Sequence, residues 1–97
     1  MKYYFITNPA AGKSDSSDEL CRSIKEICDA REIDYKIYKT TCVSDATRYV
    51  REVCSERETS REELRFYACG GDGTFNEVIS GAVGYENVSV GLIPKGS

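Results

Sequence analysis

Short apolar runs alternate along the chain with segments of helical periodicity. The runs are rich in aromatic and β-branched residues, which is typical of strands, and they cover residues 2–7, 34–39, 64–69 and 88–93. Between them, apolar residues recur at intervals of three and four, which indicates amphipathic helices. These helices are predicted over about 18–31, from 45 onward and over about 75–83. The predicted order of elements is therefore β-α-β-α-β-α-β.

Each predicted helix carries one apolar stripe that we expect to face a core. Ser17 or Asp18 is the predicted N-cap of the first helix, and Ser44 that of the second. The charged stretch 56–63 is interpreted as the solvated end of the second helix and a loop. The expected core residues are Leu20, Ile24, Ile27 and Cys28, then Ala46, Val50, Val53 and Cys54, then Phe75, Val78, Ile79 and Ala82.

Strict alternation of strands and helices predicts a fold of the α/β class, a three-layer, Rossmann-like domain with a parallel sheet between helices. Right-handed crossovers leave few topologies, and the strand order 2-1-3-4 is the one we expect. In that order the connections from the first and third strands leave in opposite directions. This creates a topological switch point, and ligands of such folds bind there, beyond the carboxyl ends of the strands.

The fourth strand is apolar and is expected at an open edge of the sheet. An exposed apolar edge favours pairing with another chain, so we expect that a homodimer can form through it. The chain also stops at Ser97, directly after a glycine-containing segment that follows this strand. Both features suggest a piece of a longer protein.

Bulk composition narrows the class of protein. The 97 residues suffice for one small domain, and the net charge of −3 argues against a nucleic-acid module. No apolar run reaches the ~18 residues of a membrane span. There is no histidine, which removes the commonest general base and metal ligand. Five cysteines without a C-x-x-C motif signal neither a disulfide framework nor a zinc site.

The sharpest local signal is a glycine-rich bend between the third strand and the third helix. Backbone N–H groups and the partial positive charge of a helix N-terminus can hold a phosphate there, and glycine permits close approach. The carboxylate of Asp72 would repel an anion beside it, so its presence requires an explanation. It can order a metal–nucleotide complex or nucleotide hydroxyls, or it can hold the loop by an Asx-type hydrogen bond. The bend consists of Gly70, Gly71, Asp72, Gly73 and Thr74.

Three further groups of residues are expected near the same crevice. The small-residue loop after the first strand, with Gly12 at its end, meets the glycine-rich bend at the switch point. Thr7 stands where a Walker A motif needs its first glycine, so Gly12, Lys13 and Ser14 do not form a standard P-loop. Thr40 and Thr41 follow the second strand and are either loop threonines or hydroxyl contacts. If Thr74 is the cap, Glu77 completes a capping box, and Asn76 lies at the rim.

Three ordered motifs, N-P-x-x-G at 8–12, G-G-D-G-T-x-N-E at 70–77 and P-x-G-S at 94–97, resemble the catalytic domain of the diacylglycerol kinase family. This family of lipid kinases includes sphingosine and ceramide kinases, and NAD kinase is a distant relative. The resemblance covers the whole chain. Ser97 stands where the family usually has threonine, a change that keeps the hydroxyl.

The resemblance implies a two-domain enzyme of which residues 1–97 are the N-terminal ATP-binding domain. ATP would lie in the cleft to a β-rich C-terminal domain, which supplies the general base and most of the Mg²⁺ site. The γ-phosphate would pass to a lipid hydroxyl such as that of diacylglycerol. Asp72 would be the catalytic residue of this chain, and the nucleotide contacts would be Asn8, Pro9, Ala10, Ala11, Gly12, Thr40, Gly70, Gly71, Asp72, Gly73, Thr74, Asn76, Glu77 and Ser97.

The expected protein is cytoplasmic, with peripheral membrane contact when it is full-length, and the fragment alone is expected to be inactive. Two alternatives stay open. One is an NAD kinase-like enzyme, which shares the G-G-D-G-T loop; the other is a non-enzymatic module that binds nucleotides.

Overall fold

The computed structural model describes residues 1–8, 14–42, 44–57, 62–70 and 72–94, and these form alternating strands and helices. The helices α1 and α3 begin earlier than the apolar stripes suggest, at Ser14 and Asp72. The predicted alternation is confirmed. The elements are β1 (Lys2–Thr7), α1 (Ser14–Ala30), β2 (Tyr35–Lys39), α2 (Asp45–Glu56), β3 (Leu64–Gly70), α3 (Asp72–Ala82) and β4 (Val88–Pro94).

The strands form one parallel sheet in the order β2-β1-β3-β4, as the sequence predicts. In the register of the sheet, Phe5 of β1 lies between Ile37 of β2 and Tyr67 of β3. The chain leaves β1 toward β2 on one side and reaches β3 on the other side. The switch point therefore lies between β1 and β3, and their carboxyl ends share one edge of the sheet.

Alternate residues of the two central strands face two separate cores. Tyr4 of β1 and Phe66 of β3 pack on the side of α2 and α3, with ring centroids 4.9 Å apart. Phe5 and Cys69 pack on the opposite side, against Ile24 and Cys28 of α1. Burial on both faces explains why these strands read as continuous apolar runs.

Two members of the predicted stripes lie outside the cores. Ile27 is 55% exposed, because it lies one residue off the line formed by Ile24 and Cys28, and α1 alone covers this face among the described elements. Ile79 is 37% exposed, one residue past the fully buried Val78. The positions of α3 that are buried instead are Thr74 and Gly81.

The helices α2 and α3 approach each other closely on one face of the sheet. A Cβ atom at Gly81 would lie 2.7 Å from the carbonyl oxygen of Thr47 and 2.9 Å from Cβ of Val50. Glycine at this position lets the two helices touch. The hydroxyl of Thr47 also donates a hydrogen bond of 2.8 Å to the carbonyl oxygen of Glu77. This contact joins the middle of α3 to α2.

Candidate functional site

A pocket of about 220 Å³ opens at the carboxyl ends of β1 and β2, beside the first two turns of α3. It borders the switch point between β1 and β3, where the fold class places ligands, because Asn8 follows β1 and the helix α3 follows β3. Most of the lining side chains can form hydrogen bonds. They are Asn8, Thr40, Thr41, Cys42, Ala46, Thr74 and Glu77.

One wall of the pocket, which we call the helix wall, is formed by α3. Thr74 is 6% exposed and faces the pocket from the first turn. Because α3 begins at Asp72, Thr74 lies inside the helix; its predicted role as the N-cap is wrong. Glu77 is then too far along α3 to complete a capping box, and that prediction is wrong as well.

The carboxylate of Glu77 is the most informative group of the helix wall. Its Oε1 atom is buried and finds no hydrogen-bond partner among the described residues. A buried acceptor without a donor is costly, so this atom is a candidate acceptor for a donor group of a ligand. A carboxylate accepts hydrogen bonds from hydroxyl and amino groups, and it also suits a divalent cation.

The opposite wall, the loop wall, is formed by Thr40, Thr41 and Cys42 between β2 and α2. Its beginning continues the sheet, since the backbone N–H of Thr40 donates to the carbonyl oxygen of Thr7 at 2.8 Å. Its next residue is bound to α2: the backbone N–H of Thr41 donates to Oδ2 of Asp45 at 2.8 Å, and the Thr41 hydroxyl donates to the same atom at 3.2 Å.

Asp45, the first residue of α2, is the centre of a polar network behind the loop wall. The hydroxyl of Tyr38 donates to Oδ2 at 2.8 Å, and the Arg48 guanidinium donates to Oδ1 at 2.7 Å from Nη2 and 3.2 Å from Nε. The ring of Tyr38 is stacked on that of Tyr49, with centroids 3.8 Å apart. The network therefore joins β2, the loop and α2.

The same contacts set the ionisation of the network. The hydrogen bond from Arg48, followed by that from the Thr41 backbone, lowers the pKa of Asp45 from 3.8 to about 2. The neighbouring carboxylate of Asp45 and burial raise the pKa of Tyr38. Asp45 is thus an anion and Tyr38 a neutral donor at neutral pH.

The predicted cap of α2 is wrong in its chemistry. Ser44 stands at the N-cap position, but its backbone is left-handed with φ of 70° and its side chain makes no capping hydrogen bond. The next residue, Asp45, bonds the preceding loop instead. Sequence reasoning took the hydroxyl residue for the anchor and missed the carboxylate beside it.

A second, larger groove of about 560 Å³ follows the outer surface of α2. Apart from Ser44, all of the described residues that line it belong to that one helix. Among the described residues, no strand and no second helix contributes to it. The smaller pocket at the switch point is therefore the better candidate site.

The structure distributes the predicted site residues over three groups. Asn8, Thr40, Thr74 and Glu77 line the pocket. Gly70 ends β3, and Asp72, Gly73 and Asn76 are exposed on α3 without lining the pocket. The residues that lie outside the described ranges are Pro9, Ala10, Ala11, Gly12, Gly71 and Ser97, with Lys13 beside them.

Sequence reasoning did not predict Cys42 and Ala46 as pocket residues, although Ala46 was expected in the core; both line the pocket. Their position in the sequence could have indicated this, since both follow Thr40 and Thr41, one in the connection to α2 and the other in the first turn of that helix. Within the described part of the chain, no three His, Cys, Asp or Glu side chains gather where they could hold a metal ion. No helix of that part is long and apolar enough to span a membrane.

Known proteins with similar sequences and structures are kinases by name. The chain is 32% identical over 93 residues to "Diacylglycerol kinase" of Bacillus subtilis, covering 95% of this chain and 29% of that protein. It is 25% identical over 95 residues to "Putative lipid kinase YtlR" of the same organism, covering 98% of this chain and 30% of that protein. A solved structure of "a putative diacylglycerol kinase" from Bacillus anthracis superposes with a TM-score of 0.72 at 30% identity, covering 98% of this chain and 32% of the other.

The chain therefore spans about a third of the length of these relatives. Residues 2–97 match the model of one family, the diacylglycerol kinase catalytic domain. With this match, and with a solved relative of 30% identity that superposes on 98% of the chain, the chain belongs to the diacylglycerol kinase catalytic domain family.

Proposed function

We propose that these 97 residues form the nucleotide-binding half of a lipid kinase and that the pocket at the switch point holds ATP. The observation that carries the proposal is the pocket itself. It brings together Asn8 after β1, Thr40 after β2, and Thr74 and Glu77 of α3. Three separate elements thus present polar groups to one cavity beside a helix N-terminus, which is the arrangement that nucleotide phosphates require.

We propose that the phosphates of ATP lie at the start of α3. The first-turn backbone N–H groups there have no partners within the helix, and the helix dipole adds positive charge. A Cβ atom at Gly73 would meet nothing within 4 Å, so open space adjoins the backbone of this turn. Asp72 is exposed in the same turn. We assign it the catalytic role of this chain, ordering the metal–nucleotide complex; Mg²⁺, when bound, neutralises charge on the transferring phosphoryl group.

Glu77 would recognise the rest of the nucleotide. Its buried Oε1 atom has no partner among the described residues, and it can accept a hydrogen bond from a ribose hydroxyl or from the amino group of the base. The hydroxyls of Thr40 and Thr74 supply further donors and acceptors. The pocket thus offers more oriented hydrogen bonds than a site for inorganic phosphate needs.

The acceptor would be a lipid hydroxyl, and diacylglycerol is the substrate that the name of the Bacillus subtilis relative suggests. The chain covers only 29% of that relative, so we assign the general base, most of the Mg²⁺ site and the lipid contacts to a C-terminal domain. This half alone would bind ATP without transferring phosphate. The complete kinase would work in the cytoplasm, at the membrane surface.

ATP binding by the chain tests the first part of the proposal. In a titration followed by NMR, we expect ATP to shift the amide signals of Thr40, Thr74 and Glu77. The signals of Asp34 and Asn87, at the opposite edge of the sheet, should stay in place. Glu77→Gln should weaken binding about tenfold, because an amide replaces the buried carboxylate acceptor. Shifts spread evenly over the domain, or none, would contradict the site.

Phosphorylation by the complete protein tests the second part. We expect product with diacylglycerol and ATP and none with NAD; the reverse would establish an NAD kinase, and no product with either would favour a binding module. Asp72→Ala should lower turnover roughly hundredfold or more, because the metal–nucleotide complex would no longer be ordered. Asp34→Ala is the matched control, since this exposed carboxylate lies at the amino edge and pairs only weakly with Lys2, at 3.9 Å.

A further inference from the structure

The carboxylate of Asp45 divides its two oxygen atoms between two tasks. Oδ1 accepts two hydrogen bonds from Arg48, while Oδ2 accepts those from the Tyr38 hydroxyl and from the backbone N–H and hydroxyl of Thr41. The side chain is only 4% exposed. A buried carboxylate with this many donors is held in one orientation, because rotating it would leave at least one donor without its hydrogen bond.

The atoms that Oδ2 holds belong to the loop wall. Thr41 lines the pocket, and Thr40, one residue before it, is bound to β1 through Thr7. Asp45 itself does not line the pocket, although its neighbour Ala46 does. The Asp45 carboxylate therefore lies on the side of the loop wall that faces away from the pocket, and it holds the backbone of the wall from that side.

We propose that Asp45 is a positioning residue for the nucleotide: it holds the Thr40–Thr41 wall in its binding geometry without touching the ligand. This inference rests on the proposed function, since it assumes that the pocket binds ATP. Positioning of this kind raises affinity because the wall is ordered before the ligand arrives, and the ordering cost is not subtracted from binding.

The isosteric amide cannot replace this carboxylate. Donors converge on both of its oxygens, whereas asparagine has a single acceptor oxygen and a donor NH₂ group. If the amide oxygen faces Arg48, the NH₂ group meets the N–H of Thr41. If it faces Thr41, the NH₂ group meets the guanidinium. Either orientation detaches one side of the network.

The test compares ATP affinity of the wild-type chain and of Asp45→Asn, at a temperature where circular dichroism shows both to be folded. We expect Asp45→Asn to bind ATP about tenfold more weakly. We also expect the amide of Thr41 to exchange its hydrogen about tenfold faster, while amides of β3 keep their rates. The exchange measurement needs no nucleotide, so it reports the order of the loop wall independently of ATP binding.

Two controls separate positioning from general destabilisation. Glu52→Gln makes the same chemical change in the exposed carboxylate that binds Arg48 at 2.7 Å, on the side away from the loop. Val53→Ala removes core volume from the far end of α2, where the side chain is 8% exposed. Both variants should bind ATP within about twofold of wild type when folded, although Val53→Ala is less stable.

The outcomes are distinct. If wild type binds ATP and folded Asp45→Asn binds it equally well, the inference is wrong while the proposed function stands. If wild type does not bind ATP, both fail together. If Asp45→Asn does not fold, Tyr38→Phe decides. It deletes one donor to Oδ2 together with the hydroxyl that accepts a hydrogen bond of 3.0 Å from Arg48, and it keeps the ring stack on Tyr49. We expect this variant to weaken ATP binding two- to threefold, and unchanged binding would overturn the inference.

Discussion

The two halves of the domain hold the same pocket by different physical means. The β2–α2 half carries the loop wall, and a charged network around Asp45 fixes it. The α3–β4 half carries the helix wall, and close packing of α3 on α2 around Gly81 fixes it. Hydrogen bonds to a charge depend on pH and on single atoms, whereas packing depends on volume. The two walls should therefore fail under different perturbations.

The largest expected effect comes from adding one methyl group to the packed half. Gly81→Ala places a Cβ atom 2.7 Å from the backbone oxygen of Thr47, so the two helices must separate. We expect a loss of about 2–3 kcal/mol in the free energy of unfolding, measured with urea. Gly73→Ala makes the same change in the same helix where nothing lies within 4 Å. Alanine there should leave the free energy of unfolding unchanged or raise it by up to about 1 kcal/mol, because alanine is the better helix former. Equal losses at both glycines would refute the packing argument.

Acid should act on the charged half. The pKa of Asp45 is 3.8 when unperturbed and about 2 in the folded protein, so protonation favours unfolding. This stabilisation is complete above about pH 5 and is lost as the pH falls through about 2. We expect wild type to lose up to about 2 kcal/mol more than Asp45→Asn between these limits. Parallel stability curves for the two proteins, from urea unfolding at each pH, would show that the carboxylate is not stabilised.

A smaller effect is expected where the halves meet. Thr47→Val removes the 2.8 Å hydrogen bond to the carbonyl oxygen of Glu77 and keeps the shape of the side chain. The loss should be about 1 kcal/mol in urea unfolding. Thr47→Ser keeps the hydroxyl and should lose less. If valine is as stable as wild type while serine loses stability, the contact between α2 and α3 at this point depends on volume alone.

The weakest expected effect is self-association through β4. The outer edge of β2 carries the exposed lysines Lys36 and Lys39, which discourage pairing, whereas the described strand β4 has no charged residue and exposes 40% of Leu92. We propose that two chains pair at β4 at high concentration. Light scattering should detect this dimer in wild type and not in Leu92→Lys. A wild type that remains a monomer at millimolar concentration would count against the pairing.

The sheet order could be predicted because few right-handed arrangements suit strict β-α alternation. The exposure of Ile27 and Ile79 could not, since periodicity places residues on a stripe without showing how far a neighbouring layer extends. The start of α3 was placed too late because glycines at its N-terminus look like a loop, although Gly73 is helical.

The candidate site was only partly accessible to sequence reasoning. Thr40 and Glu77 were predicted near the crevice from a family resemblance, and the structure places both in the pocket wall. The role of Asp45 was missed, because it depends on where Tyr38, Thr41 and Arg48 direct their donors, and such convergence is a property of the fold. N-cap preferences are similar for serine and aspartate, so they do not distinguish Ser44 from Asp45.

The stacked rings of Tyr38 and Tyr49 are an intrinsic spectroscopic probe of the pocket. The sequence contains no tryptophan, so tyrosines dominate its near-ultraviolet spectrum. The two rings lie almost parallel, at 4°, and one of them donates its phenolic hydrogen to the carboxylate behind the loop wall. Near-ultraviolet circular dichroism can therefore follow the order of the loop wall without a label during a titration with nucleotide.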